Sequence, residues 1–250
     1  MGNPAILTVY KEDGSILWEK NTDDNGTYGI ETTPLAADLN NDGFKDIVVF
    51  SDDFYEENSK IYAFKHDGST LWTTTVPESE FPVMLIADLN NDGKKEVVFQ
   101  KNNNFNQDWA EINIFNNEGS LLTEWYLDRT WFTSPPEKFN NLAVGNFDQD
   151  SDLEIVSSYV SDTTYNADFL KTKLNVFNMD GTIVSGWPVE LEGDPSASSI
   201  VVGDINNDGQ NEIIKATVYI EQNKYAGKIY VFDKNGRTLP GWPVQLNGGA

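Results

Sequence analysis

Four short acidic stretches carry the residues best suited to chemistry. The first is Asp38-Leu-Asn-Asn-Asp42-Gly43-Phe-Lys-Asp46 and the second Asp88-Leu-Asn-Asn-Asp92-Gly93-Lys-Lys-Glu96. The third is Asn146-Phe-Asp148-Gln-Asp150-Ser151-Asp152-Leu-Glu154, and the fourth Asp204-Ile-Asn206-Asn-Asp208-Gly209-Gln-Asn-Glu212. Oxygen-bearing side chains stand at loop positions 1, 3, 5 and 9, and glycine follows position 5 in three copies. Alternate side chains point inward, a glycine permits the sharp turn, and a carboxylate closes the shell, which is how a short loop wraps a hard cation. The pattern predicts four Ca²⁺ sites. Each loop leads into an apolar, mostly β-branched run (Ile47-Val48-Val49, Val97-Val98-Phe99, Ile155-Val156, Ile213-Ile214). It therefore joins two strands, unlike an EF-hand, which needs flanking helices and a twelve-residue loop.

Charge agrees with that assignment. The formal net charge is −23, and thirteen of the 40 acidic residues lie in the four loops. Four bound Ca²⁺ ions would bring −23 to −15; without metal the clusters repel themselves. A chain this acidic excludes nucleic acid and anionic membrane surfaces as partners, because both need a basic face. There is no cysteine, so neither disulfides nor thiol chemistry is available. No apolar run reaches the roughly 20 residues of a membrane helix. The start, Met-Gly-Asn-Pro, lacks the basic and apolar regions of a signal peptide. Weak oxygen-ligand sites suit millimolar extracellular calcium. The expectation is a mature exported domain, or a cut-out of a larger exported protein, at the cell surface or outside the cell.

A second repeat positions the loops. It reads Val9-Tyr-Lys-Glu-Asp13-Gly14-Ser-Ile-Leu-Trp18 and returns around Gly68, Gly119, Gly181 and Gly236, followed by Trp72, Trp125, Trp187 and Trp242. Asp-Gly or Asn-Gly between alternating apolar runs is the strongest short-range hairpin signal. All-strand repeats of roughly 50 residues indicate a propeller or a solenoid. Within one repeat the order is a strand with small residues, the acidic loop, a β-branched strand, a variable connection, an aromatic strand, the Asp-Gly turn and a Trp-bearing strand. The expected fold is all-β, a β-propeller of four-stranded antiparallel blades in one domain, with calcium loops between first and second strands. The blades fall at about 31–78, 79–128, 138–192 and 196–247. A half blade at about 5–20 lacks strands of the first and second type. The expectation is of open blade edges that pair with another chain or with the rest of a larger propeller.

These loops and their flanking strands resemble the FG-GAP repeats of integrin α-subunit propellers and the VCBS-type repeats of bacterial surface and secreted proteins. The Asp-Gly-Ser-x-Leu-Trp and Gly-Trp-Pro-Val hairpins resemble the bacterial branch most closely. The resemblance covers about residues 5–247 and implies a Ca²⁺-stabilised propeller with one ion per loop. It implies Asp38, Asn40, Asp42, the Phe44 carbonyl and Asp46 as first-loop ligands, and Asp88, Asn90, Asp92, Lys94 and Glu96 in the second. The third set is Asn146, Asp148, Asp150, Asp152 and Glu154; the fourth is Asp204, Asn206, Asp208, Gln210 and Glu212. The third loop departs from the pattern, with Asn146 for the first Asp and Ser151 for Gly. Family members act in adhesion, ligand recognition or scaffolding, and some accompany polysaccharide-degrading modules. The implied function is a non-catalytic adhesion or recognition module for a protein or glycan ligand. The alternatives are a lectin-like propeller, accessory to a polysaccharide-degrading enzyme, or a scaffold repeat without a ligand of its own.

Other chemistry has little material. His66 is the single histidine, in a turn where other repeats carry Glu12, Asn117, Met179 and Lys234. It reads as a solvated turn residue, which leaves no Ser-His-Asp triad and no histidine metal site. Asp108, Asp128 and Asp168 show no pattern of a glycosidase pair. The periodic tryptophans read as packing between blades. Trp109, Trp131 and Phe132 break the period and, with Tyr126, lie in or beside variable connections. With Tyr55, Tyr165 and Tyr225 in corresponding places, they are the candidate ligand contacts on the face opposite the calcium loops.

Overall fold

The computed structural model describes residues 5–22, 29–30, 32–52, 59–76, 82–101, 111–127, 141–148, 150–160, 171–194, 198–221 and 224–247. Every regular element among them is a β-strand. A two-stranded hairpin, β1 (Ile6–Tyr10) and β2 (Ile16–Asn21), comes first. The first four-stranded sheet is β3 (Leu35–Ala37), β4 (Asp46–Ser51), β5 (Lys60–Phe64) and β6 (Thr70–Thr75). The second is β7 (Val83–Ala87), β8 (Glu96–Lys101), β9 (Glu111–Phe115) and β10 (Leu121–Tyr126). The third is β11 (Asn141–Gly145), β12 (Glu154–Val160), β13 (Lys171–Phe177) and β14 (Val189–Glu192). The fourth is β15 (Val201–Gly203), β16 (Glu212–Glu221), β17 (Lys224–Phe232) and β18 (Val244–Asn247). In each sheet the spatial order follows the sequence. The acidic loop always joins the first strand to the second, and the Asp-Gly or Asn-Gly turn joins the third to the fourth.

The turns form because their side chains complete them locally. Asp13, Asp67 and Asp180 each accept from the hydroxyl and the N–H of the residue two further on, Ser15, Ser69 and Thr182, at 2.6–2.9 Å. Those bonds, the hydroxyl one foremost, hold the three exposed carboxylates below their usual pKa. The glycine between takes a φ of +79° to +84° in Gly14, Gly68, Gly119 and Gly181, a region that disfavours any Cβ.

The chain divides into two compact units, residues 1–88 with 93–123, and residues 89–92 with 124–250. Strand side chains alternate between faces, and each sheet uses both. In the first unit Leu7 of the hairpin packs on Val49 and Phe64 of the first sheet. On that sheet's other face, Val48, Phe50, Ile61 and Ala63 pack with Val97, Phe99 and Phe115 of the second. In the second unit Val156, Leu174 and Val176 of the third sheet pack with Ile213, Tyr230 and Phe232 of the fourth. Where two layers of a unit meet, the earlier contributes a leading face and the later a trailing face.

The periodic tryptophans fasten these layers, as their spacing predicts. Trp18 donates its indole N–H to the His66 carbonyl at 2.9 Å, Trp72 to that of Asn117 at 2.9 Å, and Trp187 to that of Lys234 at 3.1 Å. Each acceptor precedes the turn's Asp, Glu or Asn in the following sheet. The rings of Trp18, Trp125 and Trp187 also meet Phe64, Phe177 and Phe232, with centroids 5.8–6.0 Å apart. A Cβ on Gly68, Gly119 or Gly181 would stand 2.7–2.8 Å from a ring atom of Trp18, Trp72 or Trp125. The turn glycine therefore serves twice, for its φ and for the tryptophan lying on it. Gly14 has the same φ but nothing within 4 Å of such a Cβ. Gly14→Ala should lose only the left-handed backbone term, about 1 kcal/mol. Gly119→Ala should lose in addition about 1–3 kcal/mol for displacing Trp72. Guanidinium unfolding of the two variants measures the difference; equal losses would show that the tryptophan contact contributes nothing.

Candidate metal centre

The four loops fold on one hydrogen-bond plan. The N–H of position 5 donates to the side-chain oxygen of position 3 in every copy. Asp42 donates to Asn40 at 3.0 Å, Asp92 to Asn90 at 3.1 Å, Asp150 to Asp148 at 2.9 Å and Asp208 to Asn206 at 2.8 Å. Gly43, Gly93 and Gly209 donate to the carboxylates of Asp38, Asp88 and Asp204 at 2.9–3.0 Å. Phe44, Asp152 and Gln210 donate to Asp42, Asp150 and Asp208 at 2.9 Å. The bond from Phe44 is the main reason the Asp42 carboxyl lies below its usual range. Backbone amides thus orient the side chains at positions 1, 3 and 5 and leave further lone pairs on their oxygens. Positions 4 and 6 bend the loop: Asn41, Asn91 and Asn207 have φ of 57°, 53° and 61°, and Gly43, Gly93 and Gly209 have 90°, 86° and 83°. The conserved-looking spacing of oxygens hid this role of the position-4 asparagine, one of the few side chains that tolerate the left-handed region.

Position 9 differs from the rest. Asp46, Glu96, Glu154 and Glu212 begin the second strand of each sheet, and none is more than 2% exposed. Asp46, Glu154 and Glu212 reach back to accept the N–H of position 2, from Leu39 at 3.0 Å, Phe147 at 2.5 Å and Ile205 at 3.0 Å. The Oδ1 of Asp46 is buried with no hydrogen-bond partner. A buried anionic oxygen without a donor is costly unless a cation supplies the charge. Burial raises the Asp46 pKa, with smaller contributions from Asp42 and Asp38. It raises that of Glu154 to about 7, with Asp148 and Asp150 adding to it against the Phe147 N–H. An all-oxygen donor set around a buried, underneutralised carboxylate fits a hard divalent cation such as Ca²⁺.

The third loop departs from the plan where its sequence does. Asn146 donates through Nδ2 to the Asp150 carbonyl at 2.6 Å, a contact absent from the Asp-led loops among the described residues. Carboxylate oxygens of Asp148, Asp150 and Glu154 lie within 4.8 Å of one another. Among the described residues this is the one carboxylate triad so close, and Asp152 is outside it. The extra acid at position 3 therefore takes the place of the missing one at position 1. Of the implied main-chain ligands, Phe44, Lys94 and Gln210 are all in exposed stretches of their loops. His66 is exposed, as expected of a turn residue, and its ring stacks on Phe44 with centroids 4.1 Å apart. Of the candidate ligand contacts, Tyr126 and Tyr225 are exposed at strand ends opposite the loops. Trp109, Trp131, Phe132, Tyr55 and Tyr165 lie outside the described residues.

The family model of the FG-GAP-like repeat matches residues 38–99 and 146–214, just over half the chain. The chain belongs to the FG-GAP-like repeat family. Both matched stretches of this FG-GAP chain begin at position 1 of an acidic loop, and between them they take in all four loops, the fourth at the end of the second match. No curated protein matches the chain.

The raised carboxyls make stability depend on pH when metal is withheld. Folded Glu154 keeps its proton up to about pH 7, whereas the unfolded chain releases it near 4.5. The folded state holds the extra proton between those values, so stability is full below the lower one and falls as pH rises towards the upper one. Asp46 acts in the same direction. With excess chelator, the melting temperature should therefore fall between about pH 5 and about pH 8. Glu154→Gln should flatten that fall, and saturating Ca²⁺ should remove it. A rise with pH in the chelated protein would contradict the buried carboxyls.

Proposed function

We propose that this FG-GAP chain is a Ca²⁺-stabilised β-propeller or propeller segment, acting as a non-catalytic recognition or adhesion module of an exported protein. The observation that carries the reading is the recurrence of one buried carboxylate, at position 9, closing four acidic loops of the same design. One ion per loop is the proposal. Its ligands are Asp38, Asn40, Asp42, the Phe44 carbonyl and Asp46 in the first copy and the corresponding residues in the others. Bound ions would neutralise the loops and fix the first two strands of every sheet. The four-stranded meanders, stacked face on face within each unit, are the building pattern of propeller blades. FG-GAP repeats usually occur in extracellular proteins, where calcium is abundant enough for such sites. Among the described residues no helix is long and apolar enough to cross a membrane.

The partner, protein or glycan, would meet the strand ends opposite the loops, where Tyr126 and Tyr225 are exposed. Exposed aromatic rings there also suit stacking on a sugar, and a lectin-like role is the second reading.

Calorimetric titration of the chelator-stripped chain with CaCl₂ should reach four ions per chain, and the melting temperature should rise with free Ca²⁺. Asp42→Ala and Asp92→Ala should each remove one ion and weaken the rise. Heat and melting curves that Ca²⁺ leaves unchanged would defeat the proposal.

A further inference from the structure

Consecutive layers within each unit meet through one repeated interface. The leading face of a layer covers the trailing face of the next, and the next turn's glycine is covered by a tryptophan (Trp18 on Gly68, Trp72 on Gly119) or, in the Gly-Trp-Pro copy, by the Gly186 backbone on Gly236. The first and last layers each present an exposed half of that interface.

The exposed trailing face belongs to the β1–β2 hairpin. Tyr10 holds the place of Phe64, Phe115, Phe177 and Phe232 at the end of the third strand. Those phenylalanines are at most 5% exposed, and Tyr10 is 62% exposed. Ile6, on the same face of β1, is also exposed. The Gly14 turn carries no tryptophan, although its backbone matches Gly68, Gly119 and Gly181.

The exposed leading face belongs to the fourth sheet. At loop position 2, Leu39, Leu89 and Phe147 are at most 2% exposed, and Ile205 is 45% exposed. Val201 is exposed on the first strand. Ile214 and Ile229 are half-buried, where Val48, Val98 and Val156, and Ile61, Ile112 and Leu174, are fully buried. A Cβ on Gly145 of the third sheet would meet Val202 at 2.6 Å; one on Gly203, its counterpart, would meet nothing within 4 Å. A Cβ on Gly241 would meet nothing within 4 Å, whereas one on Gly186, its counterpart in the third sheet, would clash with the Asn235 carbonyl of the fourth.

We propose that the leading face of the fourth sheet binds the β1–β2 hairpin of a second copy of this chain, head to tail. Gly241 of one copy lies against the Gly14 turn of the other, as Gly186 does against Gly236, and Trp242 donates to the Glu12 carbonyl, as Trp187 does to Lys234. The occupant is a second copy because both halves are open in the same molecule, and because the interface they would form already exists between layers of this chain. Such a contact uses different surfaces on the two partners, so it propagates into a ring or a filament. The inference rests on the layer contacts and not on calcium.

Sedimentation velocity in about 0.15 M salt, which screens repulsion between the acidic copies beyond about 8 Å, tests it. The wild-type chain should shift from its 28.0 kDa mass to multiples of it as concentration rises. Tyr10→Glu blocks the hairpin and Val201→Glu, outside the acidic loop, blocks the sheet, and each alone should stay monomeric. Both replace exposed residues, and unchanged circular dichroism verifies the fold. Mixed in equal amounts, the two variants should form a dimer that grows no further, since one open half of each remains. A wild type that is monomeric throughout, including one that closes on itself, would overturn the proposal. So would a mixture that stays monomeric, or single variants that still pair.

Discussion

A buried carboxylate opens the second strand of every four-stranded sheet, and the local architecture follows from satisfying it. Asp46, Glu96, Glu154 and Glu212 sit where the chain passes from an exposed loop into the core. A charged group there needs hydrogen-bond donors and a counter-charge. The loop backbone supplies part of the first, by turning the N–H of Leu39, Phe147 or Ile205 inward. That turn carries the apolar side chains of Leu39 and Phe147 into the core, while Ile205 is exposed. In the first copy that supply is incomplete, since the Oδ1 of Asp46 is buried with no hydrogen-bond partner. The carboxylates at positions 1, 3 and 5 add negative charge beside it, which the proposed cation would offset.

The second half of each repeat braces the first. Loops and hairpin turns emerge at the same ends of the strands, and they touch. Asn117, in the turn of the second sheet, donates Nδ2 to the Leu39 carbonyl of the first loop at 3.2 Å. Asn41 of that loop donates to the Gly93 carbonyl of the next loop at 3.2 Å. Phe44 lies against His66. Tryptophans tie one layer to the next, Trp18 and Trp187 by a hydrogen bond and an aromatic contact, Trp72 by a hydrogen bond and Trp125 by an aromatic contact. Rigid layers hold the connections at the opposite strand ends, where sequence varies most between repeats and where a recognition surface is free to change without loss of the fold.

Much of this was legible in the sequence because it is local and repeated. Asp-Gly-Ser fixes a turn through atoms two residues apart, so Asp13, Asp67 and Asp180 behave alike. The loop oxygens at alternate positions, and the strand that follows each, were readable for the same reason. The tryptophan period pointed to packing, but the acceptor carbonyl lies 45–48 residues away, the glycine beneath the ring is in the same distant turn, and neither has a local signal. Lys215 was not legible at all. It occupies a place held by Val49, Phe99 and Ser157 in other sheets, yet it is fully buried, its ammonium donates to the Ser198 carbonyl, and burial draws its pKa down to about 8 against Asp194. A lone lysine in a strand reads as a solvent-facing residue; only the fold shows otherwise.

The central claim is that four buried carboxylates are calcium ligands. The most direct measurement is an anomalous difference map from crystals grown with Ca²⁺. One peak should appear in each loop, about 2.3–2.6 Å from a carboxylate oxygen of Asp46, Glu96, Glu154 and Glu212. Loops without a peak, and with those four carboxylates as buried as before, would contradict the account, because the charge would then have been removed by a proton and not by a metal.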